Sequence, residues 1–131
     1  MPYGAYDSGS TCGDRSACTF FLENGLIPTD QINSSATRIL KALRKKAQIF
    51  NTNNLLYPIG GDFHWKTKVE WSIGVMNLKN VMEYINAHKE LHTEIQFSTL
   101  DEYFTALRSE IKKGIFKPKS VIGDFFTYSD E

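Results

Sequence analysis

The sequence predicts an α/β protein in which helices cover a partial, largely parallel sheet. Three short apolar segments, at residues 55–59, at residues 92–97 and before Gly123, alternate with three longer segments of helical periodicity. Alternation of this kind favours parallel strands joined by helices. Three strands are few for such a sheet, because parallel strands are normally covered on both faces and flanked by other strands. We therefore expect these 131 residues to be part of a larger domain.

Two regions follow from the pattern along the chain. Residues 1–28 are expected to form an irregular loop region, because Gly, Ser, Asp and Pro recur there without helical or alternating periodicity. Residues 29–131 carry the helix–strand repeats. Pro28 precedes the first helix, Thr29 or Asp30 can cap it, and its apolar stripe extends to Phe50.

The second and third helices have equally clear patterns. Residues 69–91 form an apolar stripe that includes Trp71, for which packing in the core is the expected role. Thr99 and Glu102 have the spacing of a capping box at the start of the third helix. Gly114 is expected to end that helix.

Asp62 follows the first predicted strand and the pair Gly60-Gly61. Ligands bind at the carboxyl edge of α/β sheets, so this position is a candidate for chemistry. Alternatively, Asp62 caps a helix or closes an Asx turn. His64 either contacts a substrate held by Asp62 or points outward. A second Gly-Asp-Phe sequence at residues 123–125 suggests a common rim of carboxylates and aromatic rings, a surface that suits sugars.

Composition excludes two classes of partner. The chain has 15 basic and 15 acidic residues, whereas a nucleic-acid interface needs a basic face. The basic cluster at residues 41–46 has helical spacing and is expected to be a solvated face. No apolar stretch approaches the roughly 18 residues that span a bilayer, so we expect no membrane contact by this segment.

Cys12 and Cys18 are separated by five residues within a Gly- and Ser-rich stretch. They form either a local disulfide, which implies an oxidising compartment, or two free thiols. A zinc knuckle would need two further ligands nearby, and none is present. The sequon at residues 33–35 fits a secretory protein but is common by chance.

His88 and His92 are four residues apart, as two metal ligands on one helical face can be. Their order, His-x-Glu-x-His, differs from the His-Glu-x-x-His of zinc hydrolases. We therefore expect a solvated helix end at this position.

A series of short motifs runs along nearly the whole chain. In order, they are Met1-Pro2, Tyr6-Asp7, Thr11-Cys12-Gly13 with Cys18, Arg44-Lys45-Lys46, Leu55-Leu56 with Pro58, Gly60 with Asp62-Phe63, Glu70-Trp71, Gln96-Phe97, Thr99-Leu100, Glu102-Tyr103-Phe104 and residues 123–128. Together they resemble glycoside hydrolase family 38, the class II α-mannosidases, and most closely the Golgi α-mannosidase II branch. The resemblance implies that these residues are the later part of a larger (β/α) domain, the N-terminal catalytic domain of such an enzyme.

The resemblance implies a zinc-dependent retaining α-mannosidase that acts in N-glycan processing. Retention needs a carboxylate nucleophile and a second carboxyl group that serves as acid and then as base. Asp62 matches the position proposed for the acid/base. This agrees with a carboxyl group at a strand end beside Phe63, where partial burial favours the protonated form.

Other site residues are also implied by the resemblance. Tyr6 and Asp7 match residues that contact the substrate, and Cys12 and Cys18 match a disulfide loop. The zinc ligands and the nucleophile of the family match no segment of this chain, so we expect zinc to be held by residues outside it. The chain alone is then expected to bind no catalytic zinc and to be inactive.

The expected partner is a mannose-containing N-glycan in the Golgi or another secretory lumen, rather than the lysosome. The membrane anchor or signal is expected outside these residues. The whole protein of which they are a part is also expected to form a homodimer. Gly61 replaces an Asp that is common in the Golgi branch. Gly4 and Ser10 replace a Tyr and a His that help that branch hold a GlcNAc-bearing substrate, so the substrate preference is left open. The alternative function is a non-catalytic glycan-binding protein or pseudoenzyme.

Overall fold

The computed structural model describes residues 7–18 and 25–123, and within these ranges the chain is helical. The α-helices, in order, are α1 Ser8–Cys12, α2 Arg15–Cys18, α3 Ile32–Ala47, α4 Lys68–Ala87 and α5 Leu100–Lys112, with 3₁₀ turns at Thr29–Gln31 and Lys89–Leu91. Tyr6 and the second Gly-Asp-Phe sequence, apart from Gly123, lie outside the described residues.

The predicted parallel sheet is wrong for the described part of the chain, which contains no β-strand. A strand requires its backbone N–H and C=O groups to pair with a neighbouring strand. In the segment before Asp62, these groups pair with side chains instead. The carbonyl of Pro58 accepts from Thr11 Oγ1 at 3.2 Å, and that of Leu56 accepts from Lys46 Nζ at 3.2 Å. The apolar run therefore lies against the helices as an irregular segment.

The three long helices were predicted correctly, but one of their caps was not. Thr29 and Asp30 lie in the 3₁₀ turn, and α3 has no side-chain hydrogen bond at its N-cap, Gln31. The capping box of α5 is confirmed: Glu102 N–H donates to Thr99 Oγ1 at 3.2 Å, and Thr99 N–H donates to Glu102 Oε2 at 2.7 Å.

The end of α5 is also confirmed. Gly114 has a φ of 72° and follows the last helical residues. Its N–H donates to the carbonyl of Ile111, and the N–H of Ile115 donates to the carbonyl of Glu110, each at 3.0 Å. These two bonds form a Schellman motif, which ends a helix by satisfying its last carbonyls.

The loop region predicted for residues 1–28 contains two short helices in its described part. Asp7 caps α1, and Gly13, at a φ of 80°, ends it. Asp14 Oδ1 accepts from the N–H of Ala17 at 3.1 Å at the start of α2. These helices of five and four residues are too short to show periodicity, and capping side chains determine them.

The core lies between α1 and α2 on one side and the facing surfaces of α3 and α4. Its buried apolar members are Cys12, Ala17, Cys18, Ala36, Ile39, Leu40, Ala42, Val81 and Ile85. Trp71 is not among them: it is 56% exposed, so its predicted role in the core is wrong. The first turn of α4 is mostly exposed, and there Trp71 contacts Trp65 instead.

Helix α5 is attached to the loop that follows α3. The buried carboxylate of Glu110 accepts from the N–H of Asn53 at 3.1 Å and from the hydroxyl of Thr52. Within the described ranges α5 packs on no other helix, and Leu100 and Phe104 on its apolar stripe are exposed. None of the helices in these ranges combines the length and apolar character needed to cross a membrane.

Candidate active site

The turn that carries Asp62 has an unusual backbone. Gly60 has a φ of 142°, and both Phe63 and Trp65 have a φ of 63°, which is the left-handed region that side chains rarely adopt. The N–H of His64 donates to the carbonyl of Gly61 at 3.4 Å and closes the turn. Left-handed residues of this kind persist where surrounding contacts determine them, and they cluster at functional sites.

Asp62 is exposed in this structure, and Phe63 beside it is 80% exposed. The partial burial expected for this carboxyl group is therefore not seen in the described part of the chain. Asp62 does not cap α4 either, because Thr67 Oγ1 accepts the N–H of Glu70 at 3.1 Å and caps that helix. Asp62 therefore lies at the surface of the described part of the chain.

Ser8 holds the backbone just before this turn. Its N–H and its Oγ each lie 2.9 Å from the carbonyl oxygen of Gly60, and the N–H of Gly60 donates to the same Oγ at 2.7 Å. Ser8 is fully buried, and 52 residues separate it from Gly60. These hydrogen bonds, which we call the Ser8–Gly60 clamp, join α1 to the turn of Asp62.

Asp7 is brought beside the turn by the clamp. A Cβ added at Gly61 would lie 3.4 Å from the Cβ of Asp7. Asp7 Oδ1 accepts from the N–H groups of Gly9 at 3.0 Å and Ser10 at 3.1 Å. Hydrogen bonds from the side chain and backbone of Ser10 are the largest causes that lower the pKa of Asp7. The structure therefore places two carboxylate residues, Asp7 and Asp62, on adjoining segments.

The segment that leads to Asp62 is held from the core side by Tyr57. Its hydroxyl lies 3.0 Å from the carbonyl of Cys18 and 3.2 Å from that of Ser8. Burial raises the pKa of Tyr57 far above its ordinary value, so the hydroxyl stays protonated and donates. Lys46, buried beneath the same segment, has a pKa lowered by desolvation.

His64 packs against Gly61 rather than pointing away from the site. A Cβ added at Gly61 would lie 2.8 Å from Cδ2 of the His64 ring. His64 Nδ1 lies 3.7 Å from Glu70 Oε1, which gives an ion pair when the ring is protonated. Backbone hydrogen bonds, that of Trp65 foremost, lower the pKa of Glu70 and keep it ionised.

Aromatic rings surround the turn, as the sequence indicated for this part of the expected rim. The rings of Trp65 and Trp71 meet edge to face with centroids 5.3 Å apart. Lys66 Nζ lies 4.6 Å from the centroid of the exposed Phe63 ring. The other half of the rim, at residues 124–125, lies outside the described residues and stays a prediction.

A disulfide joins Cys12 and Cys18, whose Cα atoms are 6.1 Å apart. Both residues are buried against α3. The bond ties α2 to the end of α1 and so supports the helix that carries Ser8.

The described residues do not fit a zinc site. In residues 7–18 and 25–123, no three His, Cys, Asp or Glu side chains are grouped to share a metal ion. His88 Nδ1 lies 2.7 Å from the carbonyl of Tyr84, and its ring stacks on the Tyr84 ring. His92 has a left-handed backbone after the 3₁₀ turn.

The sequence analysis missed the Ser8–Gly60 clamp. Neither residue type marks a site, and no periodic pattern links positions 52 residues apart. The local signals, Asp7 as a helix cap and Gly60 before Asp62, were visible, but their contact depends on the tertiary structure.

Comparison with known proteins gives one consistent result. The family model of the glycosyl hydrolases family 38 N-terminal domain matches residues 1–131. The chain is 34% identical to Alpha-mannosidase 2 of Rattus norvegicus, 32% to Alpha-mannosidase 2 of Drosophila melanogaster and 31% to Alpha-mannosidase 2 of Homo sapiens. Each alignment covers 99% of this chain, which spans 13% of the length of each of these relatives.

Proposed function

Because this chain belongs to the glycosyl hydrolases family 38 N-terminal domain family, we propose that the whole protein hydrolyses α-mannosidic bonds. The observation that carries the proposal is the family match over all 131 residues, together with relatives that are α-mannosidases. The surface position of Asp62, with exposed aromatic rings beside it, supports a sugar as the ligand of this part of the chain.

Asp62 is the proposed general acid/base. It would first donate a proton to the glycosidic oxygen and later accept one from the attacking water, as a retaining mechanism requires. The left-handed residues after it and the clamp before it fix the backbone on both sides of this carboxyl group. The nucleophile would come from outside this chain, about 5 Å from Asp62 in the assembled enzyme.

Asp7 and Tyr6 are proposed to contact the substrate. Asp7 suits this role because its lowered pKa keeps it ionised, and a carboxylate accepts hydrogen bonds from sugar hydroxyls. Its Oδ1 already accepts two backbone N–H groups, which fixes the orientation of the side chain.

Zinc would be held by residues outside this chain and would bind hydroxyl groups of the sugar there. The 131-residue chain alone is then inactive. A homodimer of the whole protein is a further expectation, which light scattering tests.

The proposed substrate is a mannose-containing N-glycan in a secretory lumen such as the Golgi. The disulfide between Cys12 and Cys18 supports an oxidising compartment. The match to proteins named Alpha-mannosidase 2 in an insect and two mammals supports mannose as the sugar.

The test uses the whole protein with Asp62→Asn and, as a matched control, Asp30→Asn in the exposed 3₁₀ turn. On a mannoside with a poor leaving group, we expect Asp62→Asn to lower kcat/KM by roughly 100-fold or more, with binding retained. On a dinitrophenyl mannoside, whose leaving group needs no proton, the loss of kcat/KM should be much smaller, although kcat still falls because the lost base slows hydrolysis of the glycosyl-enzyme.

Two outcomes oppose the proposal. Equal losses of kcat/KM on both substrates would mean that Asp62 is not the acid. A wild-type protein that binds mannose oligosaccharides without hydrolysing any mannoside would favour the non-catalytic glycan-binding alternative.

A further inference from the structure

We propose that Ser8 is a positioning residue for Asp62, acting through its clamp on Gly60. The inference rests on the proposed function of Asp62 and extends it to a residue that touches neither substrate nor reacting atoms. It is carried by three hydrogen bonds between two residues that lie 52 positions apart.

The side chain of Ser8 uses both functions of its hydroxyl. Oγ accepts from the N–H of Gly60 at 2.7 Å and donates to the carbonyl of the same residue at 2.9 Å. The backbone N–H of Ser8 adds a third bond to that carbonyl at 2.9 Å. A single residue therefore holds both polar backbone groups of Gly60 and fixes the direction in which the chain leaves it.

Burial makes this hydroxyl hard to replace. Ser8 is 0% exposed, so water has poor access to the Gly60 N–H if the hydroxyl is removed. A buried donor without a partner is unfavourable, and the backbone relieves it by moving. Gly60, with a φ of 142°, has no side chain and can adopt other backbone conformations when the hydroxyl is removed.

The clamp also sets the spacing of the two carboxylate residues. Asp7 directly precedes Ser8, and Asp62 lies two residues after Gly60. Movement at the clamp changes the position of Asp62 relative to Asp7. Misplacement of a catalytic group by about 1 Å can lower turnover by roughly 100-fold.

The experiment uses the whole protein with Ser8→Ala and, as a matched control, Ser34→Ala, the same change at an exposed position of α3. We expect Ser8→Ala to lower kcat per folded molecule by roughly tenfold to 100-fold while KM changes little. The pH dependence of kcat should shift as well, because the surroundings of Asp62 change. Ser34→Ala should match the wild type in kcat, in KM and in the pH dependence of kcat.

Hydrogen exchange tests the clamp without relying on turnover. In the wild type, the amide of Gly60 should be protected about as strongly as the amides of α1, because both open together. In Ser8→Ala, amides of residues 60–65 should exchange at least tenfold faster, whereas Ser34→Ala leaves them unchanged. The wild-type measurement remains decisive if Ser8→Ala does not fold.

The outcomes separate this inference from the function on which it rests. A wild-type protein without mannosidase activity, but with a protected Gly60 amide, would overturn the proposed function and leave the clamp supported. An active wild type with an unprotected Gly60 amide would overturn the clamp. If Ser8→Ala only reduces the folded fraction, with kcat per folded molecule and the pH profile unchanged, Ser8 is structural and the positioning role is wrong.

Discussion

The side-chain amide of Asn86 pairs with both polar backbone groups of Ile95. The N–H of Ile95 donates to Asn86 Oδ1 at 2.8 Å, and Asn86 Nδ2 donates to the carbonyl of Ile95 at 2.8 Å. A neighbouring strand would offer Ile95 the same donor and acceptor. The last turn of α4 therefore takes the place of a sheet partner for the segment at residues 92–97.

Replacing Asn86 by Ala should destabilise the 131-residue chain. The change leaves two backbone groups of Ile95 without partners, and we expect a loss of about 1–3 kcal/mol in the free energy of unfolding. Urea denaturation monitored by circular dichroism measures the loss. Asn80→Ala, at a partly exposed position on the same helix, is the control and should change stability much less. Equal effects of the two substitutions would mean that the paired amide of Asn86 contributes nothing.

Lys46 should make stability depend on pH in the alkaline range. Burial lowers its pKa in the folded chain, whereas the unfolded chain keeps a pKa near 10.4. Between the two values the unfolded state binds more protons, so stability due to this group rises as pH increases through that window. The measurement is the difference between wild type and Lys46→Met in urea midpoints at pH 7.5 and 9.5. When the pH is raised between these two values, the urea midpoint of the wild type should increase relative to that of this variant.

The control for this pH effect is Lys45→Met, because Lys45 is exposed on the same turn of α3. Its pH profile should run parallel to that of the wild type. If Lys46→Met also runs parallel, the ammonium group of Lys46 is not destabilised by burial.

Gly61→Ala should crowd the ring of His64. The added Cβ would lie 2.8 Å from Cδ2 of His64, closer than real contacts of this kind. The φ of Gly61 is not positive, so crowding rather than backbone strain sets the effect. We expect a loss of about 1 kcal/mol in the free energy of unfolding. This is the low end of the usual cost of adding a methyl group to a packed site, because the half-buried ring can shift.

A double-mutant cycle with His64→Ala tests this assignment. In the His64→Ala background most of the cost of Gly61→Ala should disappear, which gives an interaction energy of about 0.5–1 kcal/mol. Additive losses would show that the ring of His64 is not the obstacle.

Helix patterns in the sequence were informative, whereas strand patterns were not. The long apolar stripes of α3 and α4 and the capping box at Thr99 depend on residues within about one helical turn of each other. A short apolar run such as residues 55–59 does not specify its partner. Here its carbonyls bond to Lys46 and Thr11, and those contacts could not be predicted from local sequence.

The candidate site was likewise predictable from the sequence only in part. Asp62 and its aromatic neighbours were predicted as a candidate site because glycines and a carboxylate follow an apolar run. The expected burial of Asp62 failed, since it assumed a sheet edge that the described residues do not form. The roles of Ser8 and Gly61 depend on contacts with distant segments or on the room around a missing side chain, and neither leaves a mark in the sequence.

The attachment of α5 through Glu110 has a consequence for how the chain opens. Within the described ranges, the hydrogen bonds that tie α5 to a distant segment all end on this one carboxylate, whereas α3 and α4 share a core. Segments with few buried contacts open at lower free energy than the core does. We therefore expect helix α5 to unfold locally, as a separate cooperative unit, while α3 and α4 stay folded. Protease cleavage near its end would begin from that opened state.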